Sequence, residues 1–103
     1  MTTTEVTVAL VVRLNSREAT AQEVADFLAE SVAAANAEAG TIAWLALRTD
    51  DRTFWIVDAF PSDAERQDHL RGPIANALMV HADRLLAEPP QILPATVLAA
   101  KLP

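Results

Sequence analysis

Four stretches of this 103-residue chain can be written as β-strands, and none confines its apolar residues to one side. Successive side chains of a strand point to opposite faces, so a sheet with helices on one face and water on the other alternates apolar with polar. Residues 5–14 place Val6, Val8, Leu10, Val12 and Leu14 on one face, yet Ala9 and Val11 join Thr7 and Arg13 on the other. In 41–49, Ile42, Trp44 and Ala46 oppose Ala43, Leu45 and Leu47. In 53–60, Phe54, Ile56 and Phe60 oppose Trp55, Val57 and Ala59. The stretch 91–102 sets Leu93, Ala95, Val97 and Ala99 against Leu98 and Ala100. A bare face of roughly 500 Å² would exceed the usual apolar patch of a soluble monomer, so something should cover it. The simplest cover is a second copy, sheet against sheet, which predicts a homodimer.

Between these strands the helical signals are local. Thr20-Ala-Gln-Glu23 has the form of a capping box, and Val24, Phe27, Leu28, Ser31, Val32 and Ala35 follow at helical spacing up to a stop at Gly40. Asp50-Asp51-Arg52 is short enough for a hairpin between the second and third strands. Ser62-Asp63-Ala64-Glu65 opens a short helix through Arg71. Gly72-Pro73 breaks it and starts another over 73–87, because proline suits a first helical position. Pro94 cannot donate to a ladder, so the last strand is expected either at an edge or kinked there. The resulting order is βαββαβ with the second helix split. It predicts one α+β, ferredoxin-like domain over residues 1–103, an antiparallel sheet with helices on one face.

Composition narrows the function. Fourteen acidic against eight basic residues give a net charge of −6, and the basic residues form no stripe for phosphates, so nucleic acid is not expected as a partner. No run approaches the roughly 18 apolar residues of a membrane span, and the opening Met-Thr-Thr-Thr-Glu lacks the basic start and apolar core of a leader. There are no cysteines, which removes disulfides, thiolate zinc sites and Cys nucleophiles and fits a reducing cytoplasm. The two histidines are twelve residues apart with no ligand pair at helical spacing, so no metal is expected.

The stretch from Gly40 to Pro90 carries a resemblance. It holds Gly-Thr-Ile-Ala-Trp-Leu-Ala-Leu-Arg, then Thr-Phe-Trp-Ile-Val-Asp-Ala-Phe-Pro-Ser-Asp-Ala-Glu-Arg-Gln-Asp-His-Leu, then Leu-Leu-Ala-Glu-Pro-Pro. This resembles the antibiotic biosynthesis monooxygenase family of dimeric α/β-barrel proteins, which includes quinol and anthrone oxygenases. The family's acid-x-aromatic strand end, acidic helix and His-Leu pair match Asp58-Ala59-Phe60, residues 62–68 and His69-Leu70. The resemblance implies a homodimer and an electron-rich phenol or anthrone that is deprotonated and meets O₂ directly, without metal or flavin. The chain departs from the pattern in three places. Phe60 stands where a Trp is frequent, Ile74 where a second His is common, and there is no tyrosine. A haem-degrading relative would need a His near Met79, and His81 lies about 200° round the helix from there, against that branch.

Two residues are the candidates for catalysis. The ordinary pKa of His69, near 6.5, suits proton transfer at neutral pH. Asp58 sits inside an apolar strand, where a carboxylate needs a partner; Arg13 or Arg48 is the expected one, and a base role is the alternative. Trp44, Trp55 and Phe60 are candidates to wall a pocket for a small hydrophobic or aromatic ligand, with Arg13 and His81 as polar contacts. Core or interface packing is the competing fate of the tryptophans, and a boundary position that of His81. A non-catalytic ligand-binding or stress-response protein, and an isomerase or lyase needing a base but no oxygen, remain open beside the oxygenase.

Overall fold

The computed structural model describes residues 5–103; the opening residues 1–4, part of the stretch considered above for a leader, lie outside it. Four strands, β1 (Val8–Asn15), β2 (Ala43–Arg48), β3 (Thr53–Phe60) and β4 (Gln91–Thr96), form one antiparallel sheet in the order β2-β3-β1-β4. Three helices accompany them: α1 (Ala21–Ala37), α2 (Asp63–Leu70) and α3 (Pro73–Leu85). This is the ferredoxin-like arrangement expected from the pattern, with the second crossover split at Gly72-Pro73. No helix is long and apolar enough to cross a membrane among the described residues.

The sheet register sorts the side chains. Leu10, Val12 and Leu14 of β1 and Phe54, Ile56 and Phe60 of β3 point to the helices, where Val24, Leu28, Leu78, Ala82 and Leu85 close the core over them. The opposite face carries Val11, Val57 and Leu45 side by side, since Val11 pairs with Val57 and Leu45 with Val57. Leu45 is 51% exposed there and Leu93 43%, so this apolar face is open in the single chain.

Several local expectations need correction. The Thr20 side chain does not cap α1; its hydroxyl donates to Leu85 O at 2.7 Å instead, tying the start of α1 to the end of α3. Helix α1 ends at Ala37, before Gly40, and no glycine has a positive φ among the described residues. Gly40 is needed for another reason: a Cβ there would meet Glu65 Cγ at 2.9 Å. The first strand runs over Val8–Asn15 rather than 5–14. The last strand stops at Thr96 rather than 102, because its partner β1 begins opposite it at Val8. A final bond from Val97 N to Thr7 O ends the ladder, and Leu98 beyond it is 95% exposed. Counting by twos from Val97 gives Ala95, Leu93 and Gln91 the bonds to β1, so the Pro94 nitrogen faces the open edge, where a missing N–H costs nothing.

Candidate functional site

Helix α2 is an unusual cover for an apolar sheet, because Asp-Ala-Glu-Arg-Gln-Asp-His-Leu has no apolar stripe. Polar side chains therefore turn inward. Arg66 reaches the sheet backbone, where one guanidinium nitrogen donates to Ala9 O and Ala95 O at 3.3 Å, while another holds Asp63 at 2.8 Å. One turn later His69 lies on the same side and is buried. Below it on β3 stands Asp58, only 1% exposed, placed on the helix-facing side by the same alternation that buries Ile56 and Phe60.

The imidazole lies between two carboxylates. His69 Nδ1 is 2.6 Å from Glu38 Oε1, and Nε2 is 3.0 Å from Asp58 Oδ2. The second contact is close enough for an ion pair but poorly aligned for a hydrogen bond, so neither Asp58 oxygen has a well-formed partner. Thr41 adds a hydroxyl donating to Glu38 Oε1 at 2.9 Å. The Phe60 ring packs against His69 at 5.3 Å between centroids. Burial is the largest single influence on the imidazole and would lower its pKa, but the contacts with Asp58 and Glu38 together outweigh it and raise the pKa above 6.5. The position of His69 in the last turn of α2 favours the same charged form, since carbonyl dipoles converge there.

Directly across the ladder from Asp58 is Trp44, on the same face. Its indole Nε1 is buried and has no hydrogen-bond partner, and Asp58 Oδ1 is in the same condition. A buried donor and a buried acceptor at adjacent positions are each costly unless something joins them.

The structure thus gathers His69, Asp58, Phe60 and Trp44 and leaves the other candidates elsewhere. Trp55 faces the outer side, its indole donating to Thr49 Oγ1 at 2.9 Å, with the Arg13 guanidinium 5.8 Å from its ring centroid. Neither arginine pairs with Asp58. Arg13 is on the opposite face, and Arg48 lies over Phe54 at 4.9 Å, four pairs along the ladder from Trp44 and Asp58. His81 is exposed on α3, edge-on to Phe27 at 6.3 Å. Glu38 and Thr41 went unread in the sequence, being 31 and 28 positions from His69. Because the histidine separates the two carboxylates, they do not converge; no group of three side chains is arranged to hold a metal ion among the described residues. A cavity of about 160 Å³ opens between α1 and the β2–β3 hairpin, lined by Ala25, Leu28, Ala29, Ala46, Arg48 and Phe54 among others. None of the His69 cluster borders it.

No protein-family model matches the sequence, and no curated protein is similar to it. Solved structures are informative. A protein from Nitrosomonas europaea provisionally named an antibiotic biosynthesis monooxygenase superposes with a TM-score of 0.81 at 12% identity, over 95% of this chain and 96% of that one. Another so named, from Caulobacter crescentus, gives 0.79 at 16%, over 93% of each. The fold is therefore that of the antibiotic biosynthesis monooxygenase type. Within it, the protein NE2512 of Nitrosomonas europaea, of unknown function, is 48% identical over 98% of both chains with a TM-score of 0.95. The chain belongs to the family of NE2512.

Proposed function

We propose that this protein is a homodimeric, single-domain monooxygenase of the cytoplasm that acts on a small hydroxylated aromatic, such as a quinol or anthrone, without metal or flavin. The observation that carries the proposal is that Trp44 Nε1 and Asp58 Oδ1, on residues paired across β2 and β3, are both buried without a hydrogen-bond partner. An N–H seeking an acceptor beside a carboxylate oxygen seeking a donor suits one hydroxyl group, which is both. A substrate hydroxyl bound there would accept from Trp44 and donate to Asp58. Transfer of its proton to Asp58 leaves an aryloxide, and the Trp44 N–H and the His69 imidazolium stabilise the negative charge where it develops. The electron-rich anion then supplies the electrons for O₂. One oxygen atom enters the substrate and the other leaves as water with the two hydrogens displaced.

Oxygen uptake over a panel of quinols and anthrones tests this directly. Turnover that falls at least about a hundredfold in Asp58→Asn is expected, from the usual worth of a positioned proton acceptor. Silence across the panel, or unchanged rates in Asp58→Asn and His69→Ala, would overturn it.

One observation favours a second reading. Both imidazole nitrogens already face carboxylates, so the cluster could serve as a fastening and the protein as a binder of hydrophobic compounds. That reading predicts quenching of Trp44 fluorescence by a ligand with no oxygen consumed.

The homodimer rests on the open outer face. Val11, Leu45, Val57 and Leu93 form one apolar surface there, with one residue from each of the four strands. A second copy of the same face would remove it from water.

A further inference from the structure

We propose that Glu38 is a positioning residue of this site: its carboxylate fixes both the orientation and the doubly protonated state of His69, and through it the surroundings of Asp58. The inference rests on the reading of Asp58 as the group that meets substrate, and adds a residue from a different part of the fold. Glu38 is the residue that follows α1, with extended backbone (φ −90°, ψ 104°), so the chain turns there out of the helix and toward α2. Its Oε1 lies 2.6 Å from Nδ1 and also accepts from Thr41 Oγ1 at 2.9 Å, which holds the carboxylate in place.

The argument is one of donors. A neutral imidazole has a single N–H and presents a lone pair at the other nitrogen. With a carboxylate at 2.6 Å from Nδ1 and another at 3.0 Å from Nε2, a neutral ring would aim a lone pair at one of them. Only the imidazolium carries a proton at both nitrogens, one for the close contact with Glu38 and one toward the ion pair with Asp58. The groups facing the ring from the surrounding elements are Glu38 after α1, Thr41 before β2, and Asp58 and Phe60 on β3; the charged ones are both acidic. Two anions thus share one cation. Without Glu38, the ring could serve Asp58 as a neutral donor or turn over, so that Nδ1 and Nε2 exchange places. Asp58 would then lose a fixed positive charge beside the atoms that receive the substrate proton.

Nuclear magnetic resonance of ¹⁵N-histidine-labelled protein tests this without a substrate. Both His69 nitrogens should be protonated at pH 7 in the unmodified protein. In Glu38→Gln, which keeps an acceptor but loses the charge, the His69 midpoint should fall by at least about one pH unit, a tenfold loss of proton affinity. Thr41→Val, which leaves both charges, should move it by much less. A single neutral tautomer at pH 7 in the unmodified protein would overturn the proposal even if Glu38→Gln failed to fold. So would a His69 midpoint in folded Glu38→Gln that matches the unmodified protein. Neither result depends on turnover, so loss of the oxygenase reading and loss of the Glu38 coupling are separate outcomes. Where turnover is found, Glu38→Gln should lower kcat and shift its pH profile while leaving KM nearly unchanged.

Discussion

The two faces of the sheet are built from the same strands and solve opposite problems. The helix-facing side is closed by the chain itself, and its strands carry one charged residue into the core, Asp58, which a polar helix answers with His69. The outer side has almost no charge, only Arg13 at one end beside Trp55, and the chain leaves it open. Apolar area left in water costs about 25 cal/mol per Å², whereas a carboxylate in the core costs several kcal/mol unless paired. The inner face is thus specified by one partner residue and the outer face by a whole surface. On the proposed reading the former serves chemistry inside a chain and the latter contact between chains.

The largest expected effect breaks the outer face. Val57 is central there, paired with Val11 on one side and Leu45 on the other. Val57→Lys would place a charge in the proposed interface, and the mass by light scattering should drop from about twice the 11.1 kDa of the chain to that of one chain. Its circular dichroism should persist, since Val57 is not part of the helix-side core. An unmodified protein already running at one chain's mass would remove the proposed dimer.

The inner face should break next. His69→Ala leaves Asp58 buried without its cation, which costs roughly 3–5 kcal/mol when one partner of a buried pair is removed. The midpoint of urea unfolding should fall accordingly. Replacing both partners, Asp58→Leu with His69→Leu, should recover most of that loss, because an apolar pair has no stranded charge. Equal loss in the single and double variants would show that packing, not charge, carries the effect.

The contrast between the faces also explains what could be read from the sequence. The strands, the split second crossover and the two-sided apolar pattern follow from alternation and from Gly72-Pro73, which act locally. The position of Asp58 was legible by the same rule, since it shares parity with Phe54, Ile56 and Phe60 and so had to face the helices. That parity excludes Arg13 as its partner, and the lack of an apolar stripe in α2 was the signal for His69. Glu38 had no such signal. It lies in the turn after α1, and only the packing of α2 across that turn brings it to Nδ1. The failed cap at Thr20 has the same origin, because its hydroxyl is drawn to Leu85, 65 residues away.

A smaller effect sharpens the inner face through pH. The native pKa of His69 is raised above 6.5 by Asp58 and Glu38 in spite of burial. A raised native pKa means the folded state holds the proton more tightly than the unfolded chain. The stabilisation is therefore complete below about pH 6.5 and is lost as pH rises through the native value. Urea midpoints should decline over that window in the unmodified protein, and the decline should disappear in the Asp58→Leu, His69→Leu double variant. A decline of equal size in that variant would assign it to other groups.

The smallest effect compares the faces most directly, because its size depends on whether the outer face is covered. The Arg13 guanidinium lies 5.8 Å from the Trp55 ring centroid, and Arg13 is exposed in the single chain. A cation over an aromatic ring contributes about 0.5–1 kcal/mol in water and about 2 kcal/mol when desolvated. Arg13→Met keeps much of the stem and removes the charge. At nanomolar concentrations, where the proposed dimer would dissociate, it should cost less than about 1 kcal/mol in urea unfolding. At concentrations that favour association, the cost should approach about twice that, provided a second copy covers Trp55. A cost independent of protein concentration would place Arg13 and Trp55 outside the covered surface, and confine the interface to the end of the face where Leu45, Val57 and Ala59 lie.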